Sequence, residues 1–463
     1  MKMIYNIEDK PKFGQLIVFA IQQLLAIMAA TIAVPNIVGN GMTPSAALVG
    51  AGVGTIVYQL FTKFRSPVFL GSSFAFMGSL FSAFAGGVSM QLGFAGLIIG
   101  AVFAGLVYVV IAIIVKIAGV NWIDKLMPAV VIGPTVAIIG LSLSGNAIGD
   151  LVDGLAFDAG TLSYHMDLHT GLCIICGLFT LLVVMLCSVY GKRMAKLVPF
   201  IIGILAGYAL AACFTVIGMN TGNTALQIVD FSPFTNAFAT FSISSIFTVP
   251  QFTFIEGFKG LSEVDGSYIA TIAVAYLPVA FVVFAEHLAD HKNLSSIVEK
   301  DLLKDPGLSR TLLGDGVGSM VGAFFGGCPN TTYGESIGCV AITKNASVAS
   351  ISCAAILAIA VGFITPFVCF LESIPKCVMA GVCIALYGFI AVSGLKMLQK
   401  VNLDENRNLF TASIILIAGV GSFALSFGQI TLRTVACAMI LGILSNLILK
   451  GKKKAAPEQT DAE

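Results

Sequence analysis

Apolar runs of about twenty residues follow one another along nearly the whole chain, separated by short polar turns. A helix that crosses a bilayer needs about 20 apolar residues, because each residue rises about 1.5 Å through a hydrocarbon core of about 30 Å. The pattern predicts an all-α integral membrane protein with 14 transmembrane segments. Their approximate bounds are 14–36, 45–62, 67–86, 93–115, 124–146, 169–189, 197–218, 267–289, 311–327, 329–343, 348–371, 375–397, 409–426 and 431–449.

The composition excludes a soluble domain. Of the 463 residues, 57% are hydrophobic and only 11% are charged, whereas soluble domains carry about 25% charged residues. Most of the 11 cysteines lie singly in apolar runs, and the pair Cys173 and Cys176 is typical of buried free thiols. Residues 1–13 lack the short apolar core of a signal peptide and are predicted to be cytoplasmic. The charged segment 450–463 is predicted to be a cytoplasmic tail.

The positive charges fix the orientation of the spans. Lys and Arg are enriched in cytoplasmic loops of membrane proteins. With the amino terminus inside, only Lys259, Lys376 and Arg433 of the 25 Lys and Arg residues fall outside. One miscounted span would reverse every later loop and destroy this pattern. The sequence therefore predicts a multi-pass protein of the cell membrane with both termini in the cytoplasm.

The segment 219–266 is aromatic, mildly polar and interrupted by proline, so we expect an external connection there. It divides the chain into seven spans at 14–218 and seven at 267–449. Halves with an odd number of spans insert with opposite orientation, which suits an inverted repeat. The fifth and twelfth spans share a pattern, with Pro128, Gly133 and Gly140 in the fifth and Pro375, Gly381 and Gly388 in the twelfth.

The third and tenth spans occupy corresponding places in the two halves, and both begin with a proline followed by polar residues. Non-helical backbone within a membrane is tolerated only where it lines a cavity or is paired with other protein groups. Two broken spans of this kind indicate a binding site near the midplane. We expect short antiparallel strands in these spans, each leading into a half-helix whose amino end faces a ligand.

Glu286 and Glu335 stand out among the ionisable residues that the pattern places inside the membrane, where a charge costs about 2.5–3.5 kcal/mol. Glu286 shares a helix face with Asp290, and His287 and His291 lie on the adjacent face. This cluster is either a protonatable lining or the polar cytoplasmic end of a span. The two carboxyl groups suit a neutral ring with N–H donors, and Phe74 offers a flat apolar face. A buried carboxyl group that loads and releases a proton would serve proton coupling.

Several segments resemble the uracil permease branch of the nucleobase–ascorbate transporter family. The similarity extends from about residue 11 to residue 449. The matching segments are Pro329-Asn330-Thr331-Thr332-Tyr333-Gly334-Glu335, Ala285-Glu286-His287 with His291, and Gly71-Ser72-Ser73-Phe74.

The resemblance implies uracil–proton symport by an inverted-repeat protein, with uracil, a proton and the lipid bilayer as partners and a homodimer as the assembly. It implies a core domain of spans 1–4 and 8–11 and a gate domain of spans 5–7 and 12–14. It also implies coupling through Glu286 and His291, and no cofactor or metal. The implied substrate-binding residues are Glu286, Glu335, Phe74, Gly334, Ser73, Tyr333 and Tyr387.

The chain departs from the family pattern at Gln23 and Ser336, where the family often has His and Asn, and this puts the fine specificity in doubt. The alternatives left open are a proton-coupled transporter of a purine base such as xanthine and an intramembrane metalloenzyme built on His287 and His291. A third alternative is an anion exchanger, which acidic residues at the site disfavour.

Overall fold

A computed structural model describes residues 3–119, 122, 128–152, 166–192, 194–427, 430–432 and 434–449. The predicted tail 450–463 and Arg433, one of the three basic residues predicted to face outside, lie outside the described residues.

Helices dominate the described chain. The bounds are α1 Phe13–Val38, α2 Pro44–Phe61, β1 Leu70–Ser72, α3 Met77–Ala83, α4 Met90–Ala118, α5 Ala129–Ser142, α6 Ser144–Leu151, α7 Leu168–Tyr190, α8 Met194–Leu197, α9 Pro199–Thr221, α10 Ser232–Phe238, α11 Thr253–Gly260, α12 Gly266–Val298, α13 Leu308–Gly326, β2 Asn330–Thr332, α14 Gly334–Thr343, α15 Val348–Val361, α16 Thr365–Ser373, α17 Lys376–Leu398, α18 Asn406–Val420, β3 Leu425–Phe427, β4 Ile430–Leu432 and α19 Thr434–Ile448.

Eight helical stretches within the described residues are long and apolar enough to cross a membrane, and shorter apolar helices accompany them. Helix α4 shows how such a helix is used. Its large side chains Val102, Leu106 and Val110 are exposed along one face, whereas the small residues Ala101 and Ala104 are buried on another. An apolar helix that is exposed on one side is typical of contact with lipid. The prediction of a mostly helical protein with several membrane spans is confirmed.

The predicted eleventh span, 348–371, is wrong as a continuous helix. Helix α15 ends at Val361, and α16 begins at Thr365 with a proline in its first turn. Proline suits a first turn because its missing N–H needs no partner there. Residues 246–248, which belong to the segment before α11, stabilise this break. Thr365 N donates to Ile246 O and Thr248 N donates to Phe363 O, each at 3.0 Å.

Helices α5 and α17 pack closely, and glycine makes this possible. A Cβ atom on Gly133 of α5 would lie 2.9 Å from the carbonyl oxygen of Gly394 on α17. A side chain at either position would push the two helices apart, so this contact depends on the two glycines.

Strands β1 and β2 pair antiparallel, with Gly71 opposite Thr331. Polar side chains satisfy the backbone around this small sheet. Thr55 of α2 accepts a hydrogen bond from Leu70 N at 2.9 Å and donates to Leu70 O at 3.2 Å. Asn330 Nδ2 donates to Gly50 O of α2 at 3.2 Å. Extended backbone therefore persists in an apolar interior because its polar groups are paired.

Each strand of this sheet leads directly into a helix. Strand β1 continues through a 3-10 turn at Phe74–Phe76 into α3, and β2 continues into α14. Strands β3 and β4 form a second antiparallel pair. They lie at the predicted end of the thirteenth span and the predicted start of the fourteenth.

Candidate functional site

A cavity of about 360 Å³, here called the main cavity, lies between α12 and α14 on one side and α5 and α17 on the other. Three acidic side chains, Glu286, Asp290 and Glu335, contribute to its wall, and most of the other lining residues are apolar. Its described lining contains no Lys or Arg. The arrangement therefore offers several hydrogen-bond acceptors in a largely apolar space.

The spacing of residues along α12 places its acids on the wall. Glu286 and Asp290 are four residues apart, so they lie one above the other on the same helix face. Ala285 and Ala289 complete the α12 part of the lining. These small side chains leave room beside the two carboxyl groups.

Glu335 reaches the main cavity from the first turn of α14, next to Gly334, which is exposed to the cavity. The first N–H groups of a helix have no partner within the helix. They also carry the positive end of the helix dipole. The start of α14 therefore presents backbone donors beside a carboxylate acceptor.

A smaller pocket of about 60 Å³, here called the small pocket, shares Glu286, Gly334 and Glu335 with the main cavity. Phe74 and Tyr333 form part of its wall. The Phe74 ring packs edge-on against Tyr387, with ring centroids 5.7 Å apart. The Tyr333 hydroxyl donates to Ser72 O at 2.7 Å, which fixes this ring against β1.

Two of the predicted substrate-binding residues, Tyr387 and Ser73, lie outside these linings. Tyr387 packs against Phe74 and is absent from the linings of both cavities. Ser73 is buried, and its backbone N–H donates to Pro329 O at 3.0 Å. The structure thus brings together Glu286, Glu335, Phe74, Gly334 and Tyr333, and places Tyr387 and Ser73 behind them.

His291 faces away from the main cavity. Its ring is fully buried, and its Nε2 lies 2.8 Å from the Tyr58 hydroxyl. The neighbouring His287 lies with Nδ1 2.7 Å from Asp315 Oδ2 and Nε2 3.0 Å from Thr311 Oγ1. The two histidine rings stack with centroids 4.1 Å apart. Both histidines are therefore part of the packing between α12, α2 and α13.

Within the described residues, no group of three or more His, Cys, Asp or Glu side chains is arranged to hold a metal ion. The two histidines that suggested a metal site have Asp315, Thr311 and Tyr58 as hydrogen-bonding neighbours.

Two features of the site go beyond the binding residues named from the sequence. Asp290 lines the main cavity and accepts a hydrogen bond from Thr332 of β2 at 2.7 Å. Its spacing from Glu286 was the available signal. Gln23 of α1 donates to Ser336 Oγ, which in turn accepts from Phe69 N at 3.1 Å. The hydrogen bonds of Ser336 to Gln23 and Phe69 join residues far apart in sequence, so the spacing of residues along the chain cannot predict them.

The sequence of this chain is similar to those of known permeases. A sequence model described as "Permease family" matches residues 14–427. The uracil permease of Bacillus caldolyticus is 37% identical over 98% of this chain and 96% of its own. The uracil permease of Bacillus subtilis is 37% identical over 99% of this chain and 98% of its own. That of Escherichia coli K12 is 35% identical over 99% of this chain and 97% of its own.

Solved structures show the same fold at low sequence identity. The transmembrane domain of the cyanobacterial bicarbonate transporter BicA has a TM-score of 0.63 at 15% identity, covering 96% of this chain and 99% of that chain. The inward-facing murine anion transporter Slc26a9 has a TM-score of 0.61 at 10% identity, covering 95% of this chain and 69% of that chain.

The family match spans most of the chain, and the relatives align over nearly their whole length. These relatives are named permeases, which are transporters and not enzymes. The chain is thus a multi-pass membrane protein that belongs to the permease family, together with the uracil permeases.

Proposed function

We propose that this protein imports uracil together with a proton across the cell membrane. The observation that carries the proposal is that Glu286 and Glu335, from two separate helices, line the same cavity beside Gly334. The names of the relatives, uracil permeases, support the choice of substrate.

The groups at the site match the chemistry of uracil. Uracil is a flat, neutral ring whose N–H groups donate and whose carbonyl oxygens accept hydrogen bonds. Glu286 and Glu335 supply acceptors, and the backbone at the start of α14 supplies donors. Hydrogen bonds to charged groups contribute about 1.5–3 kcal/mol each. Phe74, on the wall of the small pocket, offers an aromatic face for the ring.

Electrostatics argues against an anion as cargo, although the solved structures with the same fold are named as bicarbonate and anion transporters. An anion would approach three carboxyl groups, and the described lining contains no Lys or Arg to compensate them. Like charges at short range repel strongly in a medium of low dielectric constant. A neutral heterocycle avoids this cost.

The same three acids support the proposal of proton coupling. Three carboxylates around one cavity repel one another unless a proton is bound among them. Glu286 and Glu335 both line the main cavity and the small pocket, and we assign the coupling first to Glu286, because a second acid lies on its helix face. Asp290 lies one turn away on the same face. His291, predicted to take part, would have to act from behind α12 through its contact with Tyr58.

For the architecture, we propose 14 spans in two inverted repeats, divided into a core domain of spans 1–4 and 8–11 and a gate domain of spans 5–7 and 12–14. The main cavity lies where these domains would meet, because α12 and α14 belong to the first and α5 and α17 to the second. Relative movement of the two domains would expose the site to each side in turn. A homodimer and cytoplasmic termini complete the proposal.

Neighbouring cavities support a path for the substrate from the outside to the acidic site. A further cavity of about 190 Å³, lined in part by Asn146, Ser422 and Thr434, shares Phe74 and Ile139 with the small pocket. The charge pattern predicts that Asn146, Ser422 and Thr434 lie toward the outside. Phe74 therefore stands between the proposed external entrance and the acidic site.

Uptake of labelled uracil by bacterial cells that lack their own carrier tests the proposal. We expect accumulation above the external concentration, and its loss on addition of a proton uncoupler. Accumulation that persists in de-energised cells would contradict proton coupling. Unlabelled xanthine that competes better than unlabelled uracil would instead favour a purine carrier.

A further inference from the structure

Residues 4–9, here called the N-terminal strap, run along the loop 344–347 that joins α14 to α15 and contain a turn at Ile7 and Glu8. Tyr5 and Asn345 form a parallel β-bridge. Ala346 N donates to Tyr5 O at 2.8 Å, and Val348 N donates to Ile7 O at 3.1 Å. The start of the chain is thus attached by backbone hydrogen bonds to a loop that lies more than 330 residues later in sequence.

The strap caps the carboxyl end of α14. Lys344 follows the last residue of α14 in a left-handed conformation, with φ of 55°. The last carbonyl groups of a helix lack partners within the helix. Lys344 O accepts from Ile4 N at 2.8 Å and from Tyr5 N at 3.3 Å. At the other end of the loop, Ser347 Oγ donates to Asp9 O at 2.5 Å.

Ile7 fastens the strap to the elements that carry the site. Its side chain is 4% exposed and belongs to a small apolar cluster with Leu70 of β1, Leu294 of α12 and Ile337 of α14. Ile4, on the same strap, is 62% exposed. Strand β1, helix α12 and helix α14 are the elements that place Phe74, Glu286 and Glu335.

We propose that the N-terminal strap is a positioning element that holds α14, and with it Glu335, at the main cavity. The proposal rests on the function proposed above for Glu335. Helix α14 has ten residues, so its two ends are about 15 Å apart at 1.5 Å per residue. A displacement of its capped end by the strap would move Glu335 at its first turn. The described strap residues do not line the main cavity or the small pocket, so the strap acts at a distance.

Two asparagine substitutions on the strap form a matched pair. Ile7→Asn places a polar amide in the buried cluster, whereas Ile4→Asn changes an exposed side chain. We expect Ile7→Asn to raise the KM for uracil uptake about tenfold, a change equivalent to about 1.4 kcal/mol. The maximal rate per folded transporter should change by less than about twofold. Ile4→Asn should have the KM of the wild type, and so should Ile7→Val, which keeps an apolar side chain in the cluster.

A measurement that needs no substrate separates this inference from the proposed function. Hydrogen–deuterium exchange of purified protein should show faster exchange of the α14 amides in Ile7→Asn and no change in Ile4→Asn. If the wild type does not transport uracil but this difference appears, the proposed substrate is wrong and the positioning role of the strap stands.

The inference is overturned if Ile7→Asn lowers only the amount of folded protein and leaves both KM and α14 exchange unchanged. Should that variant fail to fold, Ser347→Ala removes one strap hydrogen bond and must show the same two effects at smaller size. An unchanged KM and unchanged exchange in Ser347→Ala would then contradict the proposal.

Discussion

Thr332 donates a hydrogen bond to Asp290, with Oγ1 and Oδ2 2.7 Å apart, and so joins strand β2 to the acidic face of α12. Its neighbour Thr331 is also buried, yet its hydroxyl has no hydrogen-bond partner within the described residues. Adjacent threonines thus differ in whether the hydroxyl is paired.

Replacing each threonine by valine should therefore have opposite effects on stability. Thr332→Val removes this buried hydrogen bond to Asp290 and should lower the free energy of unfolding by about 1–3 kcal/mol. Thr331→Val removes an unpaired buried hydroxyl and should leave stability equal or higher. Thermal melting of the detergent-purified variants measures both. A larger loss for Thr331→Val than for Thr332→Val would contradict this assignment.

The buried pair of His287 and Asp315 should contribute far more to stability than the exposed pair of Arg65 and Asp305. Both side chains of the first pair are fully buried, and Nδ1 of His287 lies 2.7 Å from Oδ2 of Asp315. In the second pair, with 3.0 Å between Arg65 Nη1 and Asp305 Oδ1, the side chains are about half exposed, and the bond to Asp305 raises the pKa of Arg65. Asp315→Leu should destabilise the protein by about 1–3 kcal/mol, because Nδ1 of His287 is left buried without its hydrogen-bond partner.

Asp305→Leu is the matched control, since exposed pairs contribute about 0–1 kcal/mol. Asp315→Asn, whose amide oxygen still accepts a hydrogen bond, should lie between the two. If Asp315→Leu and Asp305→Leu have equal melting temperatures, the buried contact of Asp315 with His287 does not contribute more to stability than the exposed pair.

The sequence predicted much of this site because its signals are local. The proline-led polar segments indicated extended backbone at membrane depth, and β1 and β2 lie in those segments. A spacing of four residues was enough to place Glu286 and Asp290 on one helix face. Assignment of the segments to spans 3 and 10 of a 14-span protein stays a prediction.

Other features depend on packing between distant parts of the chain. The spacing along α12 placed His291 on the face next to Glu286 and Asp290, but it could not decide whether that face also lines the cavity. That choice depends on Tyr58 of α2, which lies 2.8 Å from His291 and holds it on the other side. The break between α15 and α16 was missed for a similar reason, because residues 246–248 stabilise it from outside.

Gly71 of β1 lies against the Tyr333 ring, so any side chain there should disturb the small pocket. A Cβ atom at Gly71 would overlap the ring of Tyr333. Gly71→Ala should displace this ring from Ser72 O, at a cost of about 1–3 kcal/mol for overpacking. We expect a higher KM for uracil, measured by uptake at varied concentration.

Gly338→Ala on α14 is the control, because among the described residues no atom beyond its chain neighbours and its own helix backbone lies within 4 Å of the added methyl group. Alanine is the better helix former by about 1 kcal/mol, so this variant should be as stable as the wild type or more so. Equal effects of the two substitutions on KM would argue against a role for the Tyr333 position.

Glutamine at the two acidic positions should separate binding from proton coupling. Glu286→Gln keeps an acceptor oxygen but cannot take up a proton, so we expect it to abolish uptake against a concentration gradient. Glu335→Gln loses a charge-assisted bond of about 1.5–3 kcal/mol, so the KM should rise about tenfold to a hundredfold. The exposed Asp404 supplies the control, and Asp404→Asn should behave as the wild type. Wild-type accumulation by Glu286→Gln would remove Glu286 from the coupling mechanism, because no proton could then be carried on that side chain.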